Sequence, residues 1–360
     1  EHIAAFMKPF GFSISLVAAP DEPNKTSVIA SLDSGVPGPT IMLHAHIDTV
    51  PVGAGQAWDG DPYTMRKDGD KLVGLGSCDD KGQMAAMVIA ACRAADAGTV
   101  SSGKLMVVGA ADEEAAGDWG TGYLLKQGWF EDLDFAVIGE QTHNHMAVAH
   151  KGTYRTRLAI HGKSVHATNP DRGINAIHAM ARAGVALEQY HNSLRERPHP
   201  LVGTPTCSMN IVHGGEAANL VADYCEAWID RRRVPGETTE DIDSQIQGAV
   251  RNALEDTGVT WDFPETYAMP AFEETKRNRY TTTFGSVIAD VAGLSSEPIG
   301  YMPGSDAKFF PQLSHVTTVV FGAGSYEQAH AENEYVSAYE LEQAADILEQ
   351  LIPRVTANEA

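Results

Sequence analysis

Short apolar runs, each closed by a glycine or a polar cluster, recur in the first and last parts of the chain. They occupy residues 41–43, 105–108, 135–138 and 316–321. Runs of this length and composition are typical of strands buried on both faces of a parallel sheet. Between and after them, residues 81–97 are apolar almost all round and stop at Gly98, and residues 339–351 carry apolar side chains at helical spacing. This alternation predicts a doubly wound, mostly parallel α/β sheet.

The middle of the chain has a different hydrophobic pattern. Its predicted strands and helices cover, in order, residues 154–160, 173–192, 206–212, 221–232, 239–256 and 259–263. In the second helix, aliphatic side chains recur every fourth residue from Ile242 to Leu254. The resulting order β-α-β-β-α-β is that of a ferredoxin-like α+β sandwich. We therefore predict a small domain at residues 150–266, inserted into a larger domain made of residues 1–149 and 267–360.

Composition adds the size and the charge of the protein. With 360 residues, of which 43% are hydrophobic and 21% charged, the chain is long enough for two domains with separate cores. The formal charge is −22, from 26 basic and 48 acidic residues. Because such a chain repels polyanions and shows no basic patch, we expect neither a nucleic acid nor a membrane surface as its partner.

Cysteine usage and targeting signals bear on the compartment. The four cysteines form no C-x-x-C pair, which argues against a disulfide scaffold and against a thiolate zinc site. No apolar run approaches the roughly 18 to 20 residues that span a bilayer. Residues 1–6 also lack the basic-then-apolar pattern of a signal peptide. We therefore expect a cytoplasmic protein.

Acidic and histidine residues fall directly after the predicted strands of the larger domain, or just before its first helix. They are His46, Asp48, Asp79, Glu113, Glu114, Glu140 and His330. Taken singly they have ordinary explanations: an H-x-D triplet arises by chance, paired glutamates form solvated turns, an aspartate caps a helix, and a histidine lies in a loop. Since the carboxyl ends of the strands in an open α/β sheet line its ligand crevice, we expect the whole set to converge there.

The chemistry of this set indicates divalent metal ions. Imidazoles and carboxylates without thiolates suit zinc, with cobalt or manganese as alternatives, and one carboxylate can bridge two ions about 3.5 to 4 Å apart. An extended backbone would place His46 and Asp48 on one face, so that Asp48 could orient the imidazole through its other ring nitrogen. Of Glu113 and Glu114, one could bind metal while its neighbour takes a proton from water.

Five motifs that contain these residues strongly resemble the acetylornithine deacetylase and succinyl-diaminopimelate desuccinylase family. They are HIDTVP at 46–51, GLGSCDDKG at 74–82, DEE at 112–114, GE at 139–140 and AH at 329–330. The resemblance extends in order over nearly the whole chain. The family also contains aminoacylases, dipeptidases and glutamate-releasing carboxypeptidases. One departure stands out: the proline usual after the position of Glu140 is Gln141 here.

The resemblance implies a role for each residue of the set. It assigns His46 and Glu140 to one metal ion, Glu114 and His330 to a second, and Asp79 to both as the bridging ligand. It also implies that Glu113 is the general base and that Asp48 orients a ligand.

The resemblance further implies a homodimer formed through the inserted domain. His166 matches the histidine that reaches the active site of the neighbouring subunit and stabilises the oxyanion. The alternative is a surface loop histidine, because Gly162 and the Asn169-Pro170 pair mark a turn.

Four further residues match positions that contact the substrate in the family: Asn219, Arg232, Gly304 and Ser305. The planar fork of an arginine suits a substrate carboxylate. Arg232 could equally be a salt-bridging strand residue, and Arg231 or Arg233 could be the relevant side chain. A plain glycine turn is the alternative for Gly304 and Ser305.

The sequence thus predicts a metal-dependent hydrolase, similar to acetylornithine deacetylase, that cleaves the amide bond of an N-acyl amino acid or a similar small carboxylate substrate. The first alternative is a metallo-exopeptidase, either a dipeptidase or a glutamate-releasing carboxypeptidase. The second is a catalytically silent metal-binding relative, which the presence of Glu113 disfavours.

Overall fold

A computed structural model describes residues 1–53 and 55–357 of the chain. The chain divides into two compact units, one formed by Glu1–Ala149 with Glu273–Ala360 and the other by His150–Phe272. The second unit runs beyond the limit at residue 266 that the sequence predicts, because its last strand is longer than the apolar run at 259–263.

The helices of the described chain are α1 (His2–Met7), α2 (Lys81–Asp96), α3 (Thr121–Lys126), α4 (Ala176–Leu194), α5 (Thr239–Leu254), α6 (Arg279–Ala292) and α7 (Ala338–Thr356). The strands are β1 (Ser13–Val17), β2 (Ser27–Asp33), β3 (Thr40–His46), β4 (Arg66–Asp68), β5 (Lys71–Val73), β6 (Lys104–Ala110), β7 (Phe135–Gly139), β8 (Ala147–His150), β9 (Gly152–His161), β10 (Thr206–Gly214), β11 (Tyr224–Arg233), β12 (Thr260–Met269), β13 (Phe272–Glu273), β14 (Ile299–Tyr301), β15 (Thr317–Phe321) and β16 (Tyr335–Ser337).

The main sheet of the first unit has the order β1-β2-β6-β3-β7-β15-β8-β13, and β14 pairs with β8. Its central strands β6, β3, β7 and β15 are parallel. Strands β1 and β2 extend the sheet antiparallel on one side, and β8 pairs antiparallel with β15 on the other. The predicted α/β class is confirmed, but a mostly parallel sheet is correct only for the centre. The apolar-run criterion detects strands buried on both faces, whereas β1 is largely exposed and escapes it.

The parallel strands end level with one another. His46 at the end of β3 lies opposite Ala110 at the end of β6, and Phe321 at the end of β15 lies opposite Gly139 at the end of β7. The residues that follow these strands are therefore brought to one edge of the sheet, where ligand crevices form in folds of this kind.

Helix α2 supports this edge of the sheet by packing. It packs against β3 and α7, and most of its side chains are buried, which explains why its sequence is apolar almost all round. The chain turns away after it at Gly98, whose φ of +62° suits a residue without a side chain. Because α2 begins at Lys81, its position fixes the preceding residues at the sheet edge.

In the second unit the elements follow the order β9-α4-β10-β11-α5-β12, and the sheet order is β10-β11-β9-β12 with antiparallel pairing throughout. Apolar side chains of α4, α5 and the sheet form one core. The aliphatic face of α5 from Ile242 to Leu254 is buried in it, as the four-residue spacing predicts. Strand β10 lies at an end of this sheet.

None of the helices in the described part of the chain combines the length and the apolar composition that crossing a bilayer requires.

Candidate metal centre

His46, Asp79 and Glu114 form the core of the site at the sheet edge. Their ligand atoms all lie within 4.8 Å of one another, as an ion shared among them requires. His46 Nε2 is 3.0 Å from Asp79 Oδ1, and both residues are buried. Burial opposes a charge on His46, but hydrogen bonding to Asp48 and Asp79 raises the pKa of the imidazole well above its usual value.

His330 reaches the same group from the loop after β15. Its Nε2 lies 3.1 Å from Glu114 Oε2 and 3.5 Å from Asp79 Oδ2. The residue adopts a left-handed backbone conformation with φ of +61°, and Gln56 Nε2 donates a hydrogen bond of 3.1 Å to its carbonyl oxygen. This conformation is uncommon outside glycine and occurs frequently at functional sites. The side chain is 54% exposed, so this side of the cluster is open to solvent.

Asp48 holds two parts of the site together. Its two carboxylate oxygens accept hydrogen bonds of 3.2 and 3.1 Å from the backbone amides of Glu113 and Glu114. His46 Nδ1 lies 3.2 Å from the carbonyl oxygen of Asp48 and 3.5 Å from its Oδ1. Asp48 therefore contacts the ring nitrogen that the sequence predicts, chiefly through its main chain, while its carboxylate fixes the acidic turn.

The carboxylate of Glu113 contacts a lysine. Its Oε1 lies 3.4 Å from the Nζ of Lys308. Burial raises the pKa of Glu113 to about 7, although Lys308 and His46 lower it. A carboxylate with a pKa near 7 can both accept and return a proton at neutral pH, which is the property of a general base.

A series of buried polar side chains leads away from Glu113 through Lys308. The sequence pattern did not predict it. Lys308 Nζ is 3.3 Å from Asp306 Oδ1, and Thr121 Oγ1 donates a hydrogen bond of 2.6 Å to Asp306 Oδ2. His44 Nε2 lies 2.7 Å from the same hydroxyl. Burial lowers the pKa of His44 to about 4, although Asp306 raises it, so this imidazole is neutral. The series fixes Lys308 against Glu113, and the only sequence signal was the position of Asp306 and Lys308 in one loop.

Glu334 fixes the loop that carries Asp79. Its carboxylate accepts hydrogen bonds from the backbone amides of Gly76, Cys78 and Asp79 at 2.8, 2.8 and 2.9 Å. The residue is 2% exposed. A buried carboxylate with several amide donors is strongly held in place. Nothing in the sequence pattern indicated this role, although Glu334 follows closely on His330.

Asp79 does not cap helix α2. The residue at the N-cap is Asp80, and it makes no capping hydrogen bond through its side chain. Its Oδ2 accepts a hydrogen bond of 3.2 Å from the amide of His46. The peptide bond between Asp79 and Asp80 is cis. The oxygens of Asp79 face His46 and His330, so the helix-cap explanation that the sequence left open is wrong for this residue.

Glu140 follows β7 and is buried next to Asp79. Its Oε2 accepts a hydrogen bond of 2.9 Å from the hydroxyl of Tyr301. Gln141 lies between the two acids, because its Nε2 donates to Asp79 Oδ1 at 3.0 Å and its Oε1 is 2.7 Å from the Tyr301 hydroxyl. Among the described residues, the cluster of mutually close ligand atoms contains Glu114 and does not contain Glu140. Glu140 is hydrogen-bonded to Tyr301 instead.

The pKa values of the closely spaced acids indicate whether the site suits a cation. Burial, together with the Asp80 and Asp79 carboxylates, raises the pKa of Glu140 well above its usual value. Burial likewise raises the pKa of Asp80 well above its usual value. Simultaneous ionisation of these carboxylates is unfavourable, because their negative charges repel one another. A divalent cation among them would supply the positive charge that offsets this repulsion. Imidazole and carboxylate donors of this kind fit zinc, cobalt or manganese.

His166 and Asn219 belong to the second unit and lie next to each other. The amide of Ala167 donates a hydrogen bond of 2.9 Å to the carbonyl oxygen of Asn219, and His166 forms a β-bridge with Leu220. His166 is exposed, and its Nδ1 lies 2.9 Å from the hydroxyl of Thr168. The imidazole is therefore at the surface of this unit, and its Nε2 makes no hydrogen bond with the described residues.

Of the three consecutive arginines, only Arg232 reaches the surface of the second unit. Arg231 and Arg233 are buried. Arg232 is 38% exposed through its side chain, and its Nε donates a hydrogen bond of 2.8 Å to Asp230. Arg232 therefore forms the ion pair of the salt-bridging alternative, and its contact with a substrate stays a prediction.

Ser305 is fully buried in the loop after β14. Its Oγ accepts a hydrogen bond of 3.2 Å from the amide of Ala307, and so caps the short 3₁₀ helix at Asp306–Gln312. Gly304 precedes it and is partly exposed. The side chain of Ser305 has a structural role in this loop, as in the plain-turn alternative.

Comparison with known proteins adds relatives of known activity. The sequence model of peptidase family M20/M25/M40 matches residues 42–354. An acetylornithine deacetylase from Photorhabdus laumondii is 32% identical over an alignment of 358 residues, and the match covers 97% of this chain and 88% of the relative. An acetylornithine deacetylase from Pectobacterium carotovorum is 33% identical over the same length and with the same coverage.

Solved structures with the same fold include several peptidases. A tripeptidase from Staphylococcus aureus superposes with a TM-score of 0.80 at 21% identity, covering 99% of this chain and 91% of that one. A dinuclear metal-binding peptidase from Bacillus subtilis, assigned to the M20 family, gives a TM-score of 0.71 at 15% identity, covering 98% and 90%. At these identities the likeness is one of fold.

Proposed function

The chain belongs to peptidase family M20/M25/M40, whose members are metal-dependent hydrolases, and from this premise we propose that it cleaves the amide bond of an N-acyl amino acid. The observation that carries the proposal is the mostly buried carboxylate of Glu113, which acts electrostatically on His46 in the cluster of His46, Asp79 and Glu114. Acetylornithine deacetylases cover nearly the whole chain at about one third identity, which favours a deacylase over a peptidase.

The proposed ligands are those of a pair of divalent ions. His46 and Glu140 would hold one ion, Glu114 and His330 the other, and Asp79 both. Zinc is the proposed metal, with cobalt or manganese as alternatives. When bound, the ions would polarise the scissile carbonyl group and make water a better nucleophile at neutral pH.

Glu113 would carry the proton through the reaction. Its carboxylate accepts the proton of the attacking water and then delivers it to the departing amine, so that one group serves both steps. Lys308, at 3.4 Å, keeps this carboxylate in a fixed direction. Asp48 fixes the backbone of the same residue through its amide. We propose that this double support aligns Glu113 with the water and the leaving group.

The substrate carboxylate would bind Arg232, which offers a planar guanidinium at the surface of the second unit. Asn219 lies beside His166. Both lie near the other end of the paired strands β9 and β11, because Arg232 is opposite Thr153 whereas Tyr224 is opposite His161. We propose Asn219 as a separate substrate contact next to His166, and Gly304 and Ser305 as contacts from the loop after β14.

A substrate panel tests the proposal. We expect metal-loaded protein to hydrolyse N-acetylornithine or another N-acyl amino acid, with metal-free protein as the control. The panel should also contain N-succinyl-diaminopimelate and a set of dipeptides and tripeptides. Preferential cleavage of peptides would establish the exopeptidase alternative, and a metal-loaded protein inactive on every amide would support a silent relative.

We also propose a homodimer formed through the second unit, residues 150–272. Strand β10 lies at the edge of its sheet, and Ile211 and Val212 on this strand are each 47% exposed. An exposed apolar edge strand is prone to pair with another strand. Pairing of β10 with its copy across a twofold axis would cover it. His166 of one subunit would then serve the active site of the other by stabilising the oxyanion.

A complementation experiment tests the dimer and His166 together. Glu113→Gln and His166→Ala should each be nearly inactive alone. Co-expressed, half of the dimers are mixed, and each mixed dimer contains one site with both residues intact. We therefore expect about one quarter of wild-type activity if the dimer is symmetric. Activity no higher than that of the separate variants, in a sample shown by sedimentation to contain mixed dimers, would refute the role of His166 across subunits.

A further inference from the structure

We propose that Gln141 and Tyr301 are positioning residues for the metal ligands Asp79 and Glu140. The inference rests on the metal assignment in the proposed function and goes beyond it. It begins from a departure in this sequence, where Gln141 replaces the proline usual in the resembled family. Proline has no side-chain hydrogen-bond donor, whereas the amide of Gln141 can donate and accept.

The amide of Gln141 has a defined orientation. Its Nε2 donates to Asp79 Oδ1 at 3.0 Å and to the carbonyl oxygen of Cys78 at 3.3 Å. The reversed amide would point its oxygen at two acceptors and lose both hydrogen bonds. Gln141 is 2% exposed, so water cannot replace these bonds. The side chain is therefore a fixed donor to the carboxylate proposed to bridge the ions.

Tyr301 connects Gln141 to the second acid. Its hydroxyl lies 2.7 Å from Gln141 Oε1 and 2.9 Å from Glu140 Oε2, and the residue is 3% exposed. A phenol has one proton, so both acceptors share it in a three-centre hydrogen bond. The hydroxyl thereby joins Glu140 to Asp79 through a single neutral link.

This link holds the two acids in fixed positions. Gln141 donates to Asp79 Oδ1, and Tyr301 donates to Glu140 Oε2 and to Gln141 Oε1. Without these two side chains, neither carboxylate would have these hydrogen bonds to fix its rotation. Gln141 and Tyr301 hold them in place before any ion arrives, and so reduce the reorganisation that metal binding requires.

Two variants remove the link. Tyr301→Phe deletes one oxygen with little change in volume, and Gln141→Ala deletes the amide together with one methylene group. Tyr154→Phe is the matched control, because the buried hydroxyl of Tyr154 donates to the carboxylate of Asp243 at 2.7 Å in the other unit. Metal-free proteins would be titrated with Co²⁺ in competition with a chromophoric chelator, and the visible absorption of bound Co²⁺ would report the ligand geometry.

We expect Tyr301→Phe and Gln141→Ala each to weaken Co²⁺ binding about 10- to 100-fold, as loss of a residue supporting a metal ligand does elsewhere. The Co²⁺ spectrum should also change. Because both residues share one hydrogen bond, the double variant should lose less than the two single losses combined. Tyr154→Phe should lower the melting temperature and leave Co²⁺ binding unchanged.

Unchanged Co²⁺ affinity and spectrum in folded Tyr301→Phe and Gln141→Ala would overturn the inference. An equal weakening in Tyr154→Phe would overturn it as well, because the effect would then follow general loss of stability. Wild-type protein that binds Co²⁺ but hydrolyses no amide refutes the proposed function alone. Wild-type protein that binds no metal refutes both.

Discussion

Glu113→Gln should lower kcat by about 10²- to 10⁴-fold or more, the contribution of a positioned general base, while metal content stays at the wild-type level. Glutamine has nearly the shape of glutamate and keeps the backbone amide that donates to Asp48. It cannot accept and return a proton. The carboxylates and imidazoles of the proposed metal site are untouched, because Glu113 is not one of the proposed ligands.

The measurement pairs steady-state kinetics with elemental analysis of the same sample. Glu297→Gln serves as the control, because Glu297 is an exposed glutamate of the same unit. The KM of Glu113→Gln should change little, since the side chain is proposed to act in the transition state. Turnover close to wild type with metal retained would refute Glu113 as the base.

Removal of the metal ions should abolish turnover, with a loss on the order of a thousandfold or more, because several kcal/mol of transition-state stabilisation disappear. It should also lower thermal stability, since ions that bind only the folded chain stabilise it by mass action. Without them the buried acids near Glu140 repel one another. The folded state then loses the compensating charge.

The experiment is dialysis against a strong chelator, followed by kinetics, metal analysis and thermal unfolding. Zn²⁺, Co²⁺ and Mn²⁺ are then added back separately, which also identifies the metals that support turnover. Asp79→Asn is a useful companion, because loss of the proposed bridging charge should leave the protein inactive even after Zn²⁺ is restored. Full turnover by protein in which no metal is detectable would refute metal dependence for this chain.

The elements that carry the site could be predicted from the sequence to within a few residues. The apolar runs at 41–43, 105–108 and 135–138 became β3, β6 and β7, because strands buried on both faces must be apolar throughout. Strand β12 runs on to Met269, beyond its predicted end near residue 263. Its residues 264–268 are all exposed, so no apolar run and no alternation marks this part of the strand in the sequence.

The residues that support the site were harder to foresee. Lys308, Tyr301 and Glu334 are buried polar side chains whose partners lie far away along the chain. In sequence a buried lysine or glutamate looks the same as a solvated one, because burial depends on what packs over it. These contacts join residues that are far apart in the sequence, and local patterns therefore did not predict them.

Local patterning in the sequence established which chemical groups are present and which strands they follow, because hydrophobic periodicity predicts strands and helices, and parallel strands end at a common edge. The way those groups are supported became visible in the folded chain alone. Asp48 accepts a hydrogen bond from the amide of Glu114, and Glu334 accepts one from the amide of Asp79. Gln141 connects the Asp79 carboxylate to the Tyr301 hydroxyl. Such contacts depend on distances of about 3 Å between residues remote in sequence, and hydrogen bonds weaken steeply beyond that range.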